Sequence, residues 1–207
     1  MFIPPGSRLL ILACSATKTA DIGRIPAIER YDGPLWRTLR HSDPGGRKAR
    51  VAVLSARHGF IEGHWPIENY DCRLTEQVAA RMIAQAGSMR RPPPRRLRGD
   101  LPEGEHPGMQ IARMVRRGDR PIEDVALVGG WLYLRVMRAL VAGYQASGKV
   151  AANARVVEIN APIGIMRREL RAWLDESARD PWTAEKSAER DPSAYVGRRS
   201  VAAGKGR

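Results

Sequence analysis

The sequence predicts a three-layer α/β/α protein built around a mostly parallel, doubly wound sheet. Four short segments are almost continuously apolar and rich in Val, Ile and Leu, which is typical of strands that helices cover on both faces. Helical patterns lie between these segments, and alternation of strands with helices favours parallel β-α-β units. We expect a single domain over 1–176 of the 207 residues.

The predicted strands and helices alternate along the chain after the first strand. The strands are placed at 8–14 (RLLILAC), 50–55 (RVAVLS), 124–128 (DVALV) and 155–159 (RVVEI). The first helix, 27–39, is interrupted at Gly33-Pro34, and a second covers 75–85. The helix over 131–145 carries apolar residues at a spacing near four, and the helix over 163–174 begins after Asn160-Ala161-Pro162, where Asn and Pro favour initiation.

Two stretches fall outside this alternation. Residues 89–104 contain three consecutive prolines flanked by arginines, so we expect an exposed, extended, basic insertion. Residues 177–207 are polar and end in SVAAGKGR, which predicts a flexible basic tail. The basic insertion supplies five candidate nucleic-acid-binding residues: Arg90, Arg91, Arg95, Arg96 and Arg98.

The charge balance is strongly basic. Lys and Arg number 35 against 22 acidic residues, a net charge of +13 at pH 7. Such an excess favours association with nucleic acid through phosphate contacts, and DNA or a nucleotide is the expected partner. The alternative is the general arginine enrichment that a GC-rich genome produces.

Several classes of protein and site are not expected. No apolar run approaches the roughly 20 residues that a membrane-spanning helix needs, and the N-terminus lacks the basic start of a signal peptide, so we expect a cytoplasmic protein without a membrane partner. Cys14 and Cys72 form neither a metal-binding spacing nor a disulfide framework. Three histidines show no ligand spacing: His41, His64 and His106. We therefore expect neither a metal nor a cofactor.

Small, polar and glycine residues follow each predicted strand. Ligands of doubly wound sheets bind outside the carboxyl ends of the strands, so the loops CSATK, SARHG, GGW and NAPIG define the expected site. The candidate substrate-binding residues in and beside these loops are Cys14, Ser15, Thr17, Tyr31, Ser55, Gly59, Tyr70, Gly129, Gly130, Tyr133 and Asn160.

Lys18 is the first candidate catalytic residue. It lies four residues beyond Cys14, with two hydroxyl residues between them. A lysine in such a loop can bind a phosphate, or act as a nucleophile if desolvation lowers its pKa; a solvated lysine is the alternative. Cys14 either packs as a small hydrophobic residue or offers a reactive thiol.

His58 and Asp71 complete the catalytic candidates. His58 follows the second strand closely and is either a general acid and base or an ordinary loop histidine, and Gly59 permits a positive φ angle beside it. Asp71 follows Tyr70 shortly before a helix. Asp71 is either a helix cap or a carboxylate that binds the edge of a base on which Tyr70 stacks.

Four motifs in fixed order carry a resemblance to a known family. They are CSATK at 14–18, PAIERYDGPLW at 26–36, LSARHGF at 54–60 and IENYDCRL at 67–74. Together they resemble a bacterial and phage family of uncharacterised domains with the pattern SCSxxK…PAxxLYxSxLF…LSAKYGL…IxPYDxxL. That family is distantly similar to the YaaA peroxide-stress proteins and to the catalytic domain of archaeosine synthase.

The resemblance implies a Rossmann-like fold and a role in nucleobase modification, notably 7-deazaguanine chemistry. Lys18 matches the lysine that the archaeosine synthase motif ties to the base-modifying reaction. Gly129, Gly130 and Tyr133 continue the match. The sequence departs from the family pattern at His58, where Tyr is usual, and at Asn69, where Pro is usual.

Three functions follow as hypotheses. The first is an enzyme that modifies a base in DNA or in a nucleotide, with Lys18 as nucleophile or phosphate anchor, Asp71 as acceptor or general base, Tyr70 as stacking surface and His58 as proton shuttle. The second is an N-glycosidic hydrolase or transferase, similar to a DNA glycosylase, in which Asp71 stabilises an oxocarbenium-like state. The third is a non-catalytic nucleic-acid-binding module.

Overall fold

The chain forms a mixed α/β structure of short strands and helices. The computed structural model describes residues 7–86, 107–116 and 118–176. Within them the strands are β1 (Arg8–Ala13), β2 (Ile25–Pro26), β3 (Arg50–Ser55), β4 (Gly59–Glu62), β5 (Pro66–Ile67), β6 (Ile122–Val128) and β7 (Val150–Ile159). The helices are α1 (Ala27–Arg30), α2 (Pro34–Ser42), α3 (Glu76–Ala86), α4 (Pro107–Met114), α5 (Trp131–Ala146) and α6 (Ile163–Glu176). The insertion predicted at 89–104, its five arginines and the tail predicted at 177–207 lie outside the described residues.

Five strands form one sheet in the order β4-β3-β1-β6-β7. Strand β1 pairs in parallel with both β3 and β6, and β6 pairs in parallel with β7. Strand β4 pairs antiparallel with β3 at one edge. The expected mostly parallel sheet is confirmed, and the four predicted strands are β1, β3, β6 and β7.

The boundaries of the elements differ most from the predictions where the residues are exposed, because exposed residues carry no continuous apolar pattern. Strand β3 matches its prediction, whereas β7 begins at Val150, five residues before the predicted start. The additional residues, VAANA, lack a run of large apolar side chains because β7 is an edge strand with a largely exposed burial pattern. The predicted helix over 27–39 is two helices, α1 and α2, which are separated at the Gly33-Pro34 interruption.

The strand β4 was not predicted from the sequence. It is four residues long and follows β3 after a three-residue turn, which is too short for the helix that a parallel connection requires. Gly59, its first residue, has a φ angle of 68°, in the left-handed region that glycine adopts at little cost. The positive φ expected at Gly59 is therefore confirmed.

The strands of the sheet contribute to two separate hydrophobic clusters. Leu9 and Ile11 of β1 belong to a cluster that contains buried residues of α3, α4 and α5. Leu10 and Leu12 belong to a second cluster, with buried residues of α1, α2 and α6. Because successive side chains of a strand point to opposite faces, helices cover both faces of β1.

A buried ion pair joins the amino ends of the central strands. Arg8 Nε lies 2.9 Å from Asp124 Oδ2, and each side chain is 2% exposed. The Trp173 indole donates to Asp124 at 3.3 Å, and the Arg8 guanidinium lies 3.8 Å from the centre of the Trp173 ring. A buried pair needs this dense bonding to compensate for its desolvation, and it fixes α6 against the sheet.

No helix among the described residues is both long and apolar enough to cross a bilayer.

Candidate functional site

Four loops lie at the carboxyl edge of the sheet. Because β1, β3, β6 and β7 are mutually parallel, their carboxyl ends lie at one edge, and the loops that begin at Cys14, Ala56, Gly129 and Asn160 all lie there. The structure thus brings the four predicted site loops to the same side of the molecule.

Backbone contacts fix the loop that carries Lys18. Cys14 donates its N–H to Leu54 O at 3.0 Å, which continues the pairing of β1 with β3. Asp32 N–H donates to Thr17 O at 3.0 Å, and Lys18 forms an isolated antiparallel bridge with Tyr31. The loop is therefore attached both to the sheet and to the segment between α1 and α2.

Gly33 permits a close approach between the Lys18 loop and the start of α2. A Cβ atom at Gly33 would lie 2.3 Å from Ser15 Oγ. The same Ser15 Oγ accepts a hydrogen bond from Thr17 N at 3.1 Å. Ser15 and Thr17 thus shape the loop, and Thr17 itself is exposed at its surface.

Three hydroxyl groups form a buried hydrogen-bonded cluster beneath this loop. The Tyr70 hydroxyl lies 2.6 Å from the Tyr31 hydroxyl and 2.7 Å from Ser55 Oγ. Ser55 Oγ also accepts the backbone N–H groups of Arg57 at 3.2 Å and His58 at 3.0 Å. This hydroxyl cluster, Tyr31, Ser55 and Tyr70, joins α1, β3 and the segment after β5.

The tyrosines of the site stay protonated under ordinary conditions. Burial raises the pKa of Tyr31 and Tyr70 far above the usual value of 10.0, and the nearby Ser55 hydroxyl offsets this only in part. Burial likewise raises the pKa of Tyr133. These phenols therefore orient other groups through neutral hydrogen bonds and do not serve as general bases.

Lys18 lies against the ring of Tyr70. Its Nζ is 4.4 Å from the ring centre, within the range of a cation–π interaction, and 3.5 Å from Ala16 O. The His58 ring meets Tyr70 edge-on, with ring centres 5.0 Å apart. Lys18 is partly exposed, so its ammonium is held in position while it can still reach a ligand.

Tyr70 is more buried than its expected stacking role requires. Its side chain is 9% exposed, and Lys18, His58 and Tyr31 contact its ring. A base would have to displace Lys18 to stack on it. We therefore assign Tyr70 to positioning Lys18.

Cys14 and Tyr133 join the end of β1 to the first turn of α5. The Cys14 Sγ lies 3.2 Å from the Tyr133 hydroxyl. Cys14 is partly buried and packs against one of the two hydrophobic clusters. A Cβ atom at Gly129 would lie 2.7 Å from Ala13 Cβ, so glycine at this position is what lets α5 and Tyr133 approach β1.

Asp71 does not cap a helix. Helix α3 begins at Glu76, and the residue before it, Thr75, accepts the Val78 N–H at 3.3 Å through its Oγ1. Asp71 is exposed and directly follows Tyr70, which contacts Lys18. The carboxylate is therefore accessible, on the residue next to the one whose ring contacts Lys18.

Two predicted residues lie at the margin of the site. Gly130 is exposed, and a Cβ atom there would meet nothing within 4 Å. Asn160 is exposed after β7, the edge strand farthest from β3. Both follow strands that end at the carboxyl edge, whereas Lys18, Tyr31, Ser55 and Tyr70 form its connected centre.

Sequence reasoning missed residues that support this centre. The Trp36 indole donates to Ala13 O at 3.0 Å, and its ring packs 5.1 Å from that of Tyr31. The buried Arg30 donates to the carbonyl oxygens of Thr19, Asp21 and Gly23 and so holds the loop after Lys18. An arginine in a predicted amphipathic helix is normally solvated, so the sequence contained no signal of this role.

A separate cleft lies near the amino end of β3. Its volume is about 480 Å³, and its lining includes Arg50, Arg113 and Arg116 together with Glu62 and Asp119. Arg50 Nη2 lies 3.3 Å from Asp119 Oδ2, so acidic groups partly neutralise the basic ones. The cleft contains none of the predicted site residues.

Among residues 7–86, 107–116 and 118–176, no group of three or more potential ligands gathers into a metal site.

No family model, curated protein or solved structure matches this chain. The motif resemblance and the function that it implies therefore stay predictions.

Proposed function

We propose that this protein is a nucleobase-modifying enzyme that acts on DNA or a nucleotide through the carboxyl edge of a Rossmann-like three-layer fold. The 7-deazaguanine type of modification, or a related one, belongs to the same proposal. The observation that carries it is the contact between Lys18 and Tyr70, because it holds a partly exposed ammonium in a fixed position above a buried hydroxyl cluster.

The fixed position of Lys18 favours a catalytic function over inert loops. A lysine that only contributes to a basic surface keeps its rotamer freedom, whereas the contact here restricts a side chain with about 2 kcal/mol of rotamer entropy. The backbone bridge to Tyr31 and the hydroxyl cluster hold the lysine and its platform together. Such preorganisation is what catalysis and specific binding require.

Lys18, Asp71 and His58 have complementary chemistry. Lys18 supplies three donors for a phosphate or for the carbonyl oxygen of a base. Asp71 supplies an accessible acceptor for ring N–H or exocyclic amino groups. His58 packs against Tyr70 and completes the group with an imidazole, the side chain whose usual pKa is nearest neutrality.

Asp71 also supports one alternative function. An exposed carboxylate that caps no helix is available to stabilise an oxocarbenium-like transition state, so an N-glycosidic hydrolase or transferase is the second candidate. The two functions differ in product, since the glycosidic reaction leaves an abasic site or an exchanged base and modification leaves an altered base.

Mass spectrometry of nucleosides tests the proposal. DNA and RNA are digested from cells that produce the wild type, Lys18→Ala or Lys48→Ala. Lys48 is a suitable control because its ammonium pairs with Asp175 on the surface of α6. We expect an altered nucleoside or an abasic site with the wild type and Lys48→Ala and neither with Lys18→Ala. Identical profiles for the three proteins would refute the proposal.

A further inference from the structure

Trp131 presents an exposed indole at the carboxyl edge of the sheet. It is the first residue of the 16-residue helix α5 and follows Gly129-Gly130 at the end of β6. Its side chain is 61% exposed, and it is the one exposed aromatic residue within the described ranges. Exposed hydrophobic residues are common, so exposure alone does not indicate a site.

A fixed guanidinium covers part of this indole. The Arg138 guanidinium carbon lies 4.6 Å from the centre of the Trp131 ring. Arg138 in turn forms two hydrogen bonds to Glu158 on β7, from Nε to Oε1 at 2.6 Å and from Nη2 to Oε2 at 2.5 Å. A bidentate arginine–carboxylate pair has defined geometry, so Arg138 and Glu158 hold the indole in place.

The indole points away from Tyr133 and the end of β1. Side chains two residues apart on a helix point about 200° apart, at 100° per residue, and Tyr133 points toward Cys14. Trp131 therefore lies on the β7 side of the same edge, which agrees with its contact to the arginine that Glu158 binds. It borders the candidate site without belonging to the hydroxyl cluster.

We infer that Trp131, supported by Arg138 and Glu158, is a stacking platform for a nucleobase on the β7 side of the carboxyl edge. A planar indole with a guanidinium on it and more than half of its surface accessible matches the platforms on which bases stack. The net charge of +13 favours a ligand that also carries phosphate. This inference takes its ligand class from the proposed function but requires no reaction at Lys18.

The test compares a base-bearing ligand with a base-free one. Fluorescence anisotropy measures the affinity of the full chain for single-stranded oligothymidylate and for an abasic oligonucleotide of equal length, which has the same phosphates. Free thymidine monophosphate is a third ligand and distinguishes a nucleotide from a strand. The variants are Trp131→Ala, Trp131→Phe and, as a control, Trp65→Phe, because Trp65 also has an arginine 4.8 Å from its ring but lies elsewhere.

We expect Trp131→Ala to bind oligothymidylate about 5- to 150-fold more weakly, the range that loss of one stacked base produces, with little change for the abasic strand. Trp131→Phe is expected to regain part of the affinity and Trp65→Phe to match the wild type. Equal affinity of wild type and Trp131→Ala for oligothymidylate and for the monophosphate would overturn the inference. Loss of affinity for the monophosphate alone would identify a nucleotide platform.

Failure of this inference is distinguishable from failure of the proposed function. If base preference depends on Trp131 but no altered nucleoside appears in cells, the platform stands and the enzymatic proposal fails. If nucleosides are altered in a Lys18-dependent manner but Trp131→Ala keeps its base preference, the enzymatic proposal stands and the platform fails.

Discussion

Lys18 depends for its position on residues that are far away in sequence. Its ammonium contacts Tyr70, and its backbone pairs with Tyr31. The pattern CSATK after an apolar strand was enough to predict a lysine in a loop at the sheet edge. It was not enough to predict the contact with Tyr70, because that contact depends on how the segment after β5 passes beneath the loop.

The role of Tyr70 could not be predicted from the sequence either. An aromatic residue beside an aspartate suggested a stacking surface, whereas the structure buries the ring and bonds its hydroxyl to Ser55 and Tyr31. Sequence alone does not give the burial of a side chain outside regular elements. The exposed aromatic residue at this edge is Trp131, directly after the predicted Gly129-Gly130 loop.

Asp71→Asn tests the exposed carboxylate that follows Tyr70. If Asp71 acts as a positioned acceptor or base, the substitution should reduce the yield of the altered nucleoside by about 100-fold or more. Asp175→Asn is the matched control, since Asp175 is an exposed carboxylate that pairs with Lys48, and such pairs contribute less than about 1 kcal/mol. Equal, small effects of the two substitutions would remove Asp71 from the chemistry.

At the level of elements, the junction between β6 and α5 determines how closely α5 approaches the end of β1. Gly129 donates its N–H to Ile159 O at 3.2 Å and leaves no room for a Cβ atom against Ala13. Gly130 lies in open space with a φ angle of −67°, and α5 has no side-chain N-cap bond. The two adjacent glycines thus have different structural roles, because only Gly129 is required by a close contact. The sequence Gly-Gly alone does not show which of the two is required.

Gly129→Ser and Gly130→Ser should change stability in opposite directions. The added Cβ at Gly129 meets Ala13 at 2.7 Å, so we expect a loss of about 1–3 kcal/mol in the free energy of unfolding. Serine at position 130 meets no atom and can cap α5, so we expect no loss and a gain of a few tenths of a kcal/mol. Urea denaturation of the two variants measures both values. Similar losses for both would contradict the assigned contact.

At the level of the whole molecule, buried tyrosines link the site to the core. Tyr31, Tyr70 and the partly buried Tyr133 lie at the site, and Tyr144 of α5 packs against Phe60 of β4. Burial raises the pKa of each of these four phenols above the usual value of 10.0. The continuous apolar run of β1 was enough to predict that both of its faces are buried, and therefore that it contributes to two clusters. The tyrosine contacts were not predictable, because they depend on how the helices and loops pack together.

These raised pKa values predict loss of stability in alkali. The tyrosines of the unfolded chain release protons near pH 10, while those of the folded protein keep them. The unfolded state therefore binds fewer protons, and stability falls as pH rises above 10, by up to about 1.4 kcal/mol per pH unit for each such tyrosine. We expect phenolate absorbance from these four residues to appear together with unfolding. Titration of all four near pH 10 in the folded protein would contradict the burial of these phenols.

The most direct test of the account maps where nucleic acid binds. Backbone amide NMR spectra are recorded while oligothymidylate is added to the full chain. We expect the largest shifts at the carboxyl edge, in residues 14–18, 55–58 and 129–131, and small ones at Arg50, Arg113 and Arg116 in the cleft near the amino end of β3. Shifts confined to that cleft, with the Lys18 loop unchanged, would contradict the assignment of the carboxyl edge as the functional site.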